Sequence, residues 1–244
     1  MKAVLLGATS GMGRALARLL AERGESLFLL GIPADDLLRS AKDLEVRGAA
    51  QVGFQVCDLL DPTSFAGALK LADDALGGFD TVVVSAGLFG SQERLESDPE
   101  FAARLLAANF TNTVLFCEEA RKRMLPRGGG TLCVFSSVAG ERGRKPVILY
   151  GSAKAGLTRY LEGLDHKFRS QGLVTITVKP GFVKTAMTEG LRPPPFAGEP
   201  EGVARQVLRA IDKRTPVVYA PPMWALVMLV IRNLPRFVMR RIGF

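Results

Sequence analysis

Tyr150-Gly151-Ser152-Ala153-Lys154 sets a phenol and an ammonium four residues apart, the spacing that puts two side chains on one face of a helix. A cation beside a phenol favours the phenolate and draws its pKa down from about 10. Tyr150 is thus a candidate general acid/base for carbonyl and alcohol chemistry, with Lys154 as its electrostatic partner. Many Tyr/Lys pairs at this spacing are only an amphipathic helix surface, so the pair needs company. Thirteen residues upstream, Ser136-Ser137 ends a short apolar run, at the sheet edge where open α/β sheets bind ligands. Asn109, between Ala108 and Phe110, falls inside a stretch of helical period over residues 101–124, where an amide is a poor helix former. Alone it reads as a solvated or capping residue.

A second constellation lies at the start of the chain. Gly7-Ala8-Thr9-Ser10-Gly11-Met12-Gly13 separates an apolar strand at residues 3–6 from a helix at 11–23. Glycines there allow a tight turn and let backbone N–H groups approach a pyrophosphate at a helix N-terminus. The spacing is GxxxGxG, so Gly7, Thr9, Ser10, Gly11, Met12 and Gly13 are the candidate phosphate contacts. The second strand ends in Leu30-Gly31-Ile32-Pro33, with neither an acid for a ribose 2′-hydroxyl nor an arginine for a 2′-phosphate. Asp35 and Asp36 read as first-turn acids of the next helix.

These residues require a particular scaffold. Strand-like segments at 3–6, 27–30, 52–56 (alternating), 81–84, 132–135 and 174–178 alternate with helical segments at 11–23, 63–75, 101–124 and 147–170 and a helix around Leu37, Leu38, Ala41 and Leu44. Such alternation predicts an α/β fold, a single doubly wound parallel sheet of the Rossmann kind with helices on both faces. Residues 187–200 form the most loop-like stretch, 201–211 return to helix, and 217–219 suit a seventh strand at the sheet edge.

With these motifs in order, the chain resembles the short-chain dehydrogenase/reductase family over essentially residues 1–220. Gly7, Gly11 and Gly13 match the family's glycine motif, and Ser85-Ala86-Gly87 its Asn-Asn-Ala-Gly motif. Asp58 matches the aspartate that caps the adenine. Asn109, Ser137, Tyr150 and Lys154 match its catalytic tetrad. Pro180-Gly181 with Val183 and Thr185 match the stretch at the nicotinamide end. The resemblance implies hydride transfer between NAD(P)H and a ketone or secondary alcohol. Tyr150 would move the proton, Lys154 would lower its pKa and hold the nicotinamide ribose, Ser137 would orient the substrate oxygen, and Asn109 would support a water-linked proton path. It also implies a homo-oligomer. Leu6 replaces the usual threonine, and Val84 and Ser85 replace both asparagines, which would loosen loop packing without removing a catalytic group. Gly31 at the usual aspartate position tips the cofactor slightly from NAD(H) to NADP(H).

The chain has 244 residues, 48% apolar and 23% charged, the composition of a folded globular protein. Its formal charge is +8, yet residues 213–244 hold six basic side chains and no acidic one, leaving +2 for the rest. The excess is local, which argues against nucleic acid as a partner, since no aromatic-basic platform accompanies it. Cys57, Cys117 and Cys133 are too scattered for a metal or a disulfide framework and read as buried thiols in a reducing cytoplasm. His166 reads as a surface residue. The longest apolar run, residues 223–231, has nine members, too few to span a bilayer.

Residues 221–244 thus read as an apolar, Arg-rich extension of a catalytic domain at 1–220. Arg232, Arg236 and Arg240 recur every four residues among Trp224, Leu234, Phe237, Val238 and Met239. That pattern suits a helix lying over residues 223–241 on an anionic membrane at its inner face, kinked at Pro235. It equally suits a segment packed over the cleft or at a subunit interface. In composition the tail is similar to those of bacterial reductases acting on decaprenyl-phosphoryl 2-keto-pentose, which implies a hydrophobic or lipid-linked substrate. A non-catalytic, nucleotide-binding, membrane-attached regulator is the alternative, and the complete tetrad argues against it.

Overall fold

The computed structural model describes residues 1–243. Strands β1 (Lys2–Leu6), β2 (Ser26–Gly31), β3 (Gln51–Val56), β4 (Thr81–Val84), β5 (Gly130–Phe135), β6 (Leu173–Pro180) and β7 (Val217–Ala220) form one sheet in the order β3-β2-β1-β4-β5-β6-β7. Every pairing is parallel. Parallel strands need crossovers, and helices supply them: α1 (Gly11–Glu22), α2 (Ala34–Val46), α3 (Phe65–Leu76), α6 (Thr113–Met124), α7 (Ile148–Phe168) and α8 (Pro200–Lys213). One core packs α1, α2 and α8 on one face of the sheet, and the other packs α3, α6 and α7 on the opposite face. Covered on both sides, all eight residues of β6 are buried, including Thr175, Thr177 and Lys179, while β4 is apolar but for Thr81. The edge strand β3 is partly exposed along its length.

Two elements depart from the sequence expectation. The single helix expected over residues 101–124 is three pieces: α5 (Pro99–Leu106), a π-helical segment (Ala107–Asn112) and α6. A further short helix, α4 (Gln92–Ser97), sits in what reads as loop. Ser91 and Asp98 account for α4 and α5, each accepting a hydrogen bond from an amide of its helix's first turn.

The tail forms α9 (Met223–Asn233) and α10 (Arg236–Arg241), broken at Leu234-Pro235 as the proline requires. Met228 and Ile231 are buried against Val138, with Tyr219, Trp224, Val227 and Met239 around them. The three cysteines are buried and free, and His166 is exposed.

Candidate active site

The strand order reverses between β1 and β4, and the ligand crevice of an open α/β sheet lies at such a switch point, beyond the carboxyl ends of the strands. The glycine turn begins there. Gly7 has φ +96°, open to glycine, and a Cβ on it would press on the Ala86 backbone. A Cβ at Gly13 would overlap the Gly7 carbonyl and the Ser85 hydroxyl. Ser85 Oγ donates to the carbonyls of Gly7 (3.1 Å) and Leu6 (3.3 Å). A serine thus joins β4 to the first turn where the resemblance leads one to expect asparagine. The departure replaces the tie instead of loosening it.

A cavity of about 330 Å³ opens over this turn. Gly7, Thr9, Ser10, Gly11, Met12, Gly13, Asp58, Ser85, Ala86, Gly87 and Thr185 line it, as the motifs lead one to expect. Asp58 Oδ1 accepts from the Leu60 amide at 2.9 Å, which fixes its carboxylate at the rim. The N-terminus of α1 points its free amides here, with no acidic residue in the helix's first turn. A dinucleotide fits the cradle: glycines where a side chain would fill the space, a helix dipole for the pyrophosphate, and Ile32, Leu59 and Leu60 as apolar walls.

Pro180, Gly181 and Val183 lie outside that lining. The Pro180 carbonyl accepts from Ser137 Oγ at 3.4 Å. Gly181 leaves room for the indole of Trp224, which a Cβ would overlap. Val183 is a core residue that pairs through its backbone with Gly198.

Asn109, Ser137, Tyr150 and Lys154 converge beside the cavity. Asn109 is 1% exposed. Its amide donates to the carbonyls of Leu88 (2.7 Å) and Leu105 (3.1 Å), and its Oδ1 accepts from the Leu88 amide at 3.2 Å. The π segment presents the side chain to that strand-end loop, a role such bulges often take at functional sites. Gly87 is the bridge to the cavity: a Cβ there would lie 2.6 Å from Asn109 Oδ1 and 3.8 Å from Lys154 Nζ. Lys154 Nζ donates to the Phe135 carbonyl at 2.9 Å, while Ser136 Oγ holds the Lys154 carbonyl from below at 3.0 Å. Ser136 is thus engaged with the Lys154 carbonyl and the Thr158 hydroxyl, whereas Ser137 neighbours Tyr150. The Tyr150 ring stacks edge-on against Phe89, 5.2 Å between centroids.

Burial dominates the electrostatics of the pair. It pushes the Tyr150 phenol up to about 12, eased in part by the neighbouring Ser137 hydroxyl. It also pulls Lys154 down to about 8. Lys154 Nζ lies 5.9 Å from the Tyr150 ring centre and donates to the Phe135 carbonyl.

Three participants escape sequence reasoning. Arg104 of α5 lines the cavity, exposed and with no ion pair among the described residues. Gln92 is buried, and its Oε1 accepts from the first amides of α7, Ile148 (2.8 Å) and Leu149 (3.3 Å). Trp224 Nε1 donates to the Phe196 carbonyl at 3.2 Å. Each depends on a long-range contact that carries no local motif.

A family model for short chain dehydrogenases matches residues 1–195. The chain belongs to the short-chain dehydrogenase family. An uncharacterized oxidoreductase of Mycobacterium tuberculosis (strain H37Rv) is 36% identical over 240 residues, covering 98% of this chain and 95% of its own length. Carbonyl reductase family member 4 of Xenopus tropicalis is 29% identical over 221 residues, 85% of this chain and 89% of that one. Among solved structures, a variant actinorhodin polyketide ketoreductase with NADPH superposes with a TM-score of 0.80 at 22% identity, covering 89% of this chain and 95% of that one. This short-chain dehydrogenase is an oxidoreductase that works with a nicotinamide cofactor.

Proposed function

We propose that the protein is a reductase of a hydrophobic ketone, with Tyr150 as proton donor, and that residues 1–220 are its catalytic domain. The observation that supports this reading is geometric: Tyr150 and Lys154 lie on one helix beside Gly87, which lines a cavity suited to a dinucleotide. The buried phenol carries its proton at neutral pH, as a donor to a ketone oxygen must. Ser137, whose hydroxyl neighbours the Tyr150 phenol, orients the substrate oxygen beside it. Lys154 holds the nicotinamide ribose, and Asn109 fixes Leu88 and the loop above. A bound reduced nicotinamide supplies the hydride.

NADP(H) is the preferred cofactor in this reading. No carboxylate stands at the end of β2, and Arg104 offers the cavity a cation with no acidic partner among the described residues. The hydrophobic substrate class rests on the loop between β6 and α8, where Met187, Leu191 and Phe196 are each more than 40% exposed. The extension at 221–244 adjoins that loop through Trp224.

Purified protein should consume NADPH with a panel of apolar ketones, and Tyr150→Phe should lower kcat at least 100-fold with cofactor affinity unchanged. Full turnover by Tyr150→Phe would remove Tyr150 from the role. Tight cofactor binding without turnover across the panel would return the chain to the regulator reading. Equal affinity for NADPH and NADH, unaltered in Arg104→Ala, would refute the cofactor preference.

A further inference from the structure

Helix α9 is apolar on every side, which is unusual for a helix at the surface of a globular protein. Its inner side, Met228 and Ile231 with Trp224 and Val227, packs on Val138 and Tyr219. Its outer side has no cover: Met223, Leu226, Leu229 and Val230 are 46%, 59%, 51% and 56% exposed. Helical spacing puts these four side by side, and Phe237 of α10 adds a further exposed ring at 61%. An exposed apolar surface of this kind marks an interaction site.

Its surroundings say what the occupant is. Arg236, Arg240 and Arg241 are all exposed beside this face, and no Asp or Glu occurs after Asp212. A second copy of the chain meeting the face about a two-fold axis would bring the same patch, arginines against arginines, with no acid in either tail to pair them. An anionic lipid surface answers both features, taking the apolar side chains among its acyl chains and the guanidinium groups at its headgroups. An 11-residue helix rises about 17 Å, well short of the ~30 Å hydrocarbon core, so it lies in the interface and does not cross.

We propose that the outer face of α9 and α10 docks this protein on an anionic lipid surface, next to the mouth of its own cleft. The tail is held for this task and does not hang free. The Arg142 guanidinium donates to the Leu234 carbonyl at 2.6 Å and Lys145 Nζ to the Arg240 carbonyl at 2.7 Å, both from the segment between Ser137 and Tyr150. On the other side Trp224 rests on Gly181 and bonds Phe196, while Pro221 packs against Gly198. The docking face and the loop over the cleft are therefore fastened to each other. Lipid docking stands independently of the reductase reading. Its consequence, that an apolar substrate enters from the membrane side, rests on that reading.

The test is sedimentation of the full chain with phosphatidylcholine vesicles and with phosphatidylcholine/phosphatidylglycerol vesicles, at low and high salt. Binding should need the anionic lipid and weaken with salt. The double variant Leu226→Glu/Val230→Glu, and separately Arg236→Glu/Arg240→Glu, should each lose at least tenfold in partitioning with an unchanged Tm, because all four side chains are exposed. Equal binding to both vesicles, no binding, or binding unaffected by either variant would overturn the proposal. So would a wild-type dimer in solution that Leu226→Glu/Val230→Glu converts to monomer while neither protein meets lipid. NADPH turnover of a soluble ketone, measured in parallel, reports on the reductase reading alone.

Discussion

The Tyr150 and Lys154 side chains are both displaced from their ordinary protonation by the same cause, burial, and in opposite directions. Lys154 is drawn from 10.5 to about 8, so between those pH values the unfolded chain holds a proton that the native one has released. Stability from this group therefore rises with pH across that window, at about 1.4 kcal/mol per unit. Below about pH 8 both states are charged and the full penalty of burying the ammonium applies. Replacing Lys154 by methionine removes the penalty, so Lys154→Met should gain most over wild type at pH 7. The gain should shrink between pH 8 and 10. Urea titrations of the two proteins across that range measure it, and a constant difference would contradict the shifted lysine. The same residues show where sequence reasoning stopped. Type and spacing raise Tyr150 and Lys154 as candidates, and only the family resemblance singles out Ser137 and Asn109 beside them. Which carbonyl takes the ammonium is a matter of packing, and Phe135 lies in a strand with no motif of its own.

Among the elements, α7 matters most because it carries both Tyr150 and Lys154 from its first two turns. Its opening amides would be orphans without a partner, and Gln92 of α4 is that partner. Gln92→Ala should cost about 1–2 kcal/mol, the range of a lost helix cap, and should lower kcat more than it raises the KM for NADPH. Gln92 Nε2 also donates to Glu96 Oε1 at 2.9 Å, so the rescue is the pair Gln92→Glu/Glu96→Gln, which keeps both bonds and should restore most of the stability. Failure of Gln92→Ala to change Tm would remove Gln92 from the capping role. The strands and crossover helices were readable because each is an apolar run, an alternating pattern as in β3 and β6, or a 3.6-residue pattern. The helix α4 and the π segment were not. The first is a six-residue helix started by a serine cap, and the second keeps helical periodicity while it changes the hydrogen-bond register, so hydrophobic pattern is blind to it.

At the scale of the whole molecule, one buried acid joins three parts of the chain. Glu141, just past Ser137, accepts through Oε1 from Lys179 Nζ of β6 (2.5 Å) and from the Tyr219 hydroxyl of β7 (2.7 Å). Tyr219 in turn supports the inner face of α9. Glu141→Ala strands the Lys179 ammonium in a buried place and should cost about 3–5 kcal/mol in thermal or urea unfolding. Adding Lys179→Met should recover most of it; a purely additive double variant would mean that the pair does not interact. The tail's destination was open in the sequence, where membrane, cleft and interface all suited its composition. The fold divides those readings between two sides of one helix, with the inner side spent on the protein and the outer side uncovered.

Trp224 is the only tryptophan in the chain. Its indole touches Gly181 of the strand-end turn and bonds the loop at Phe196. Emission excited beyond the absorption of the three tyrosines is therefore a signal from a single junction, where tail, turn and cleft loop meet. Substrate closing the loop, vesicles pressing on α9 and unfolding of the tail would each be recorded by that one chromophore, without any label added.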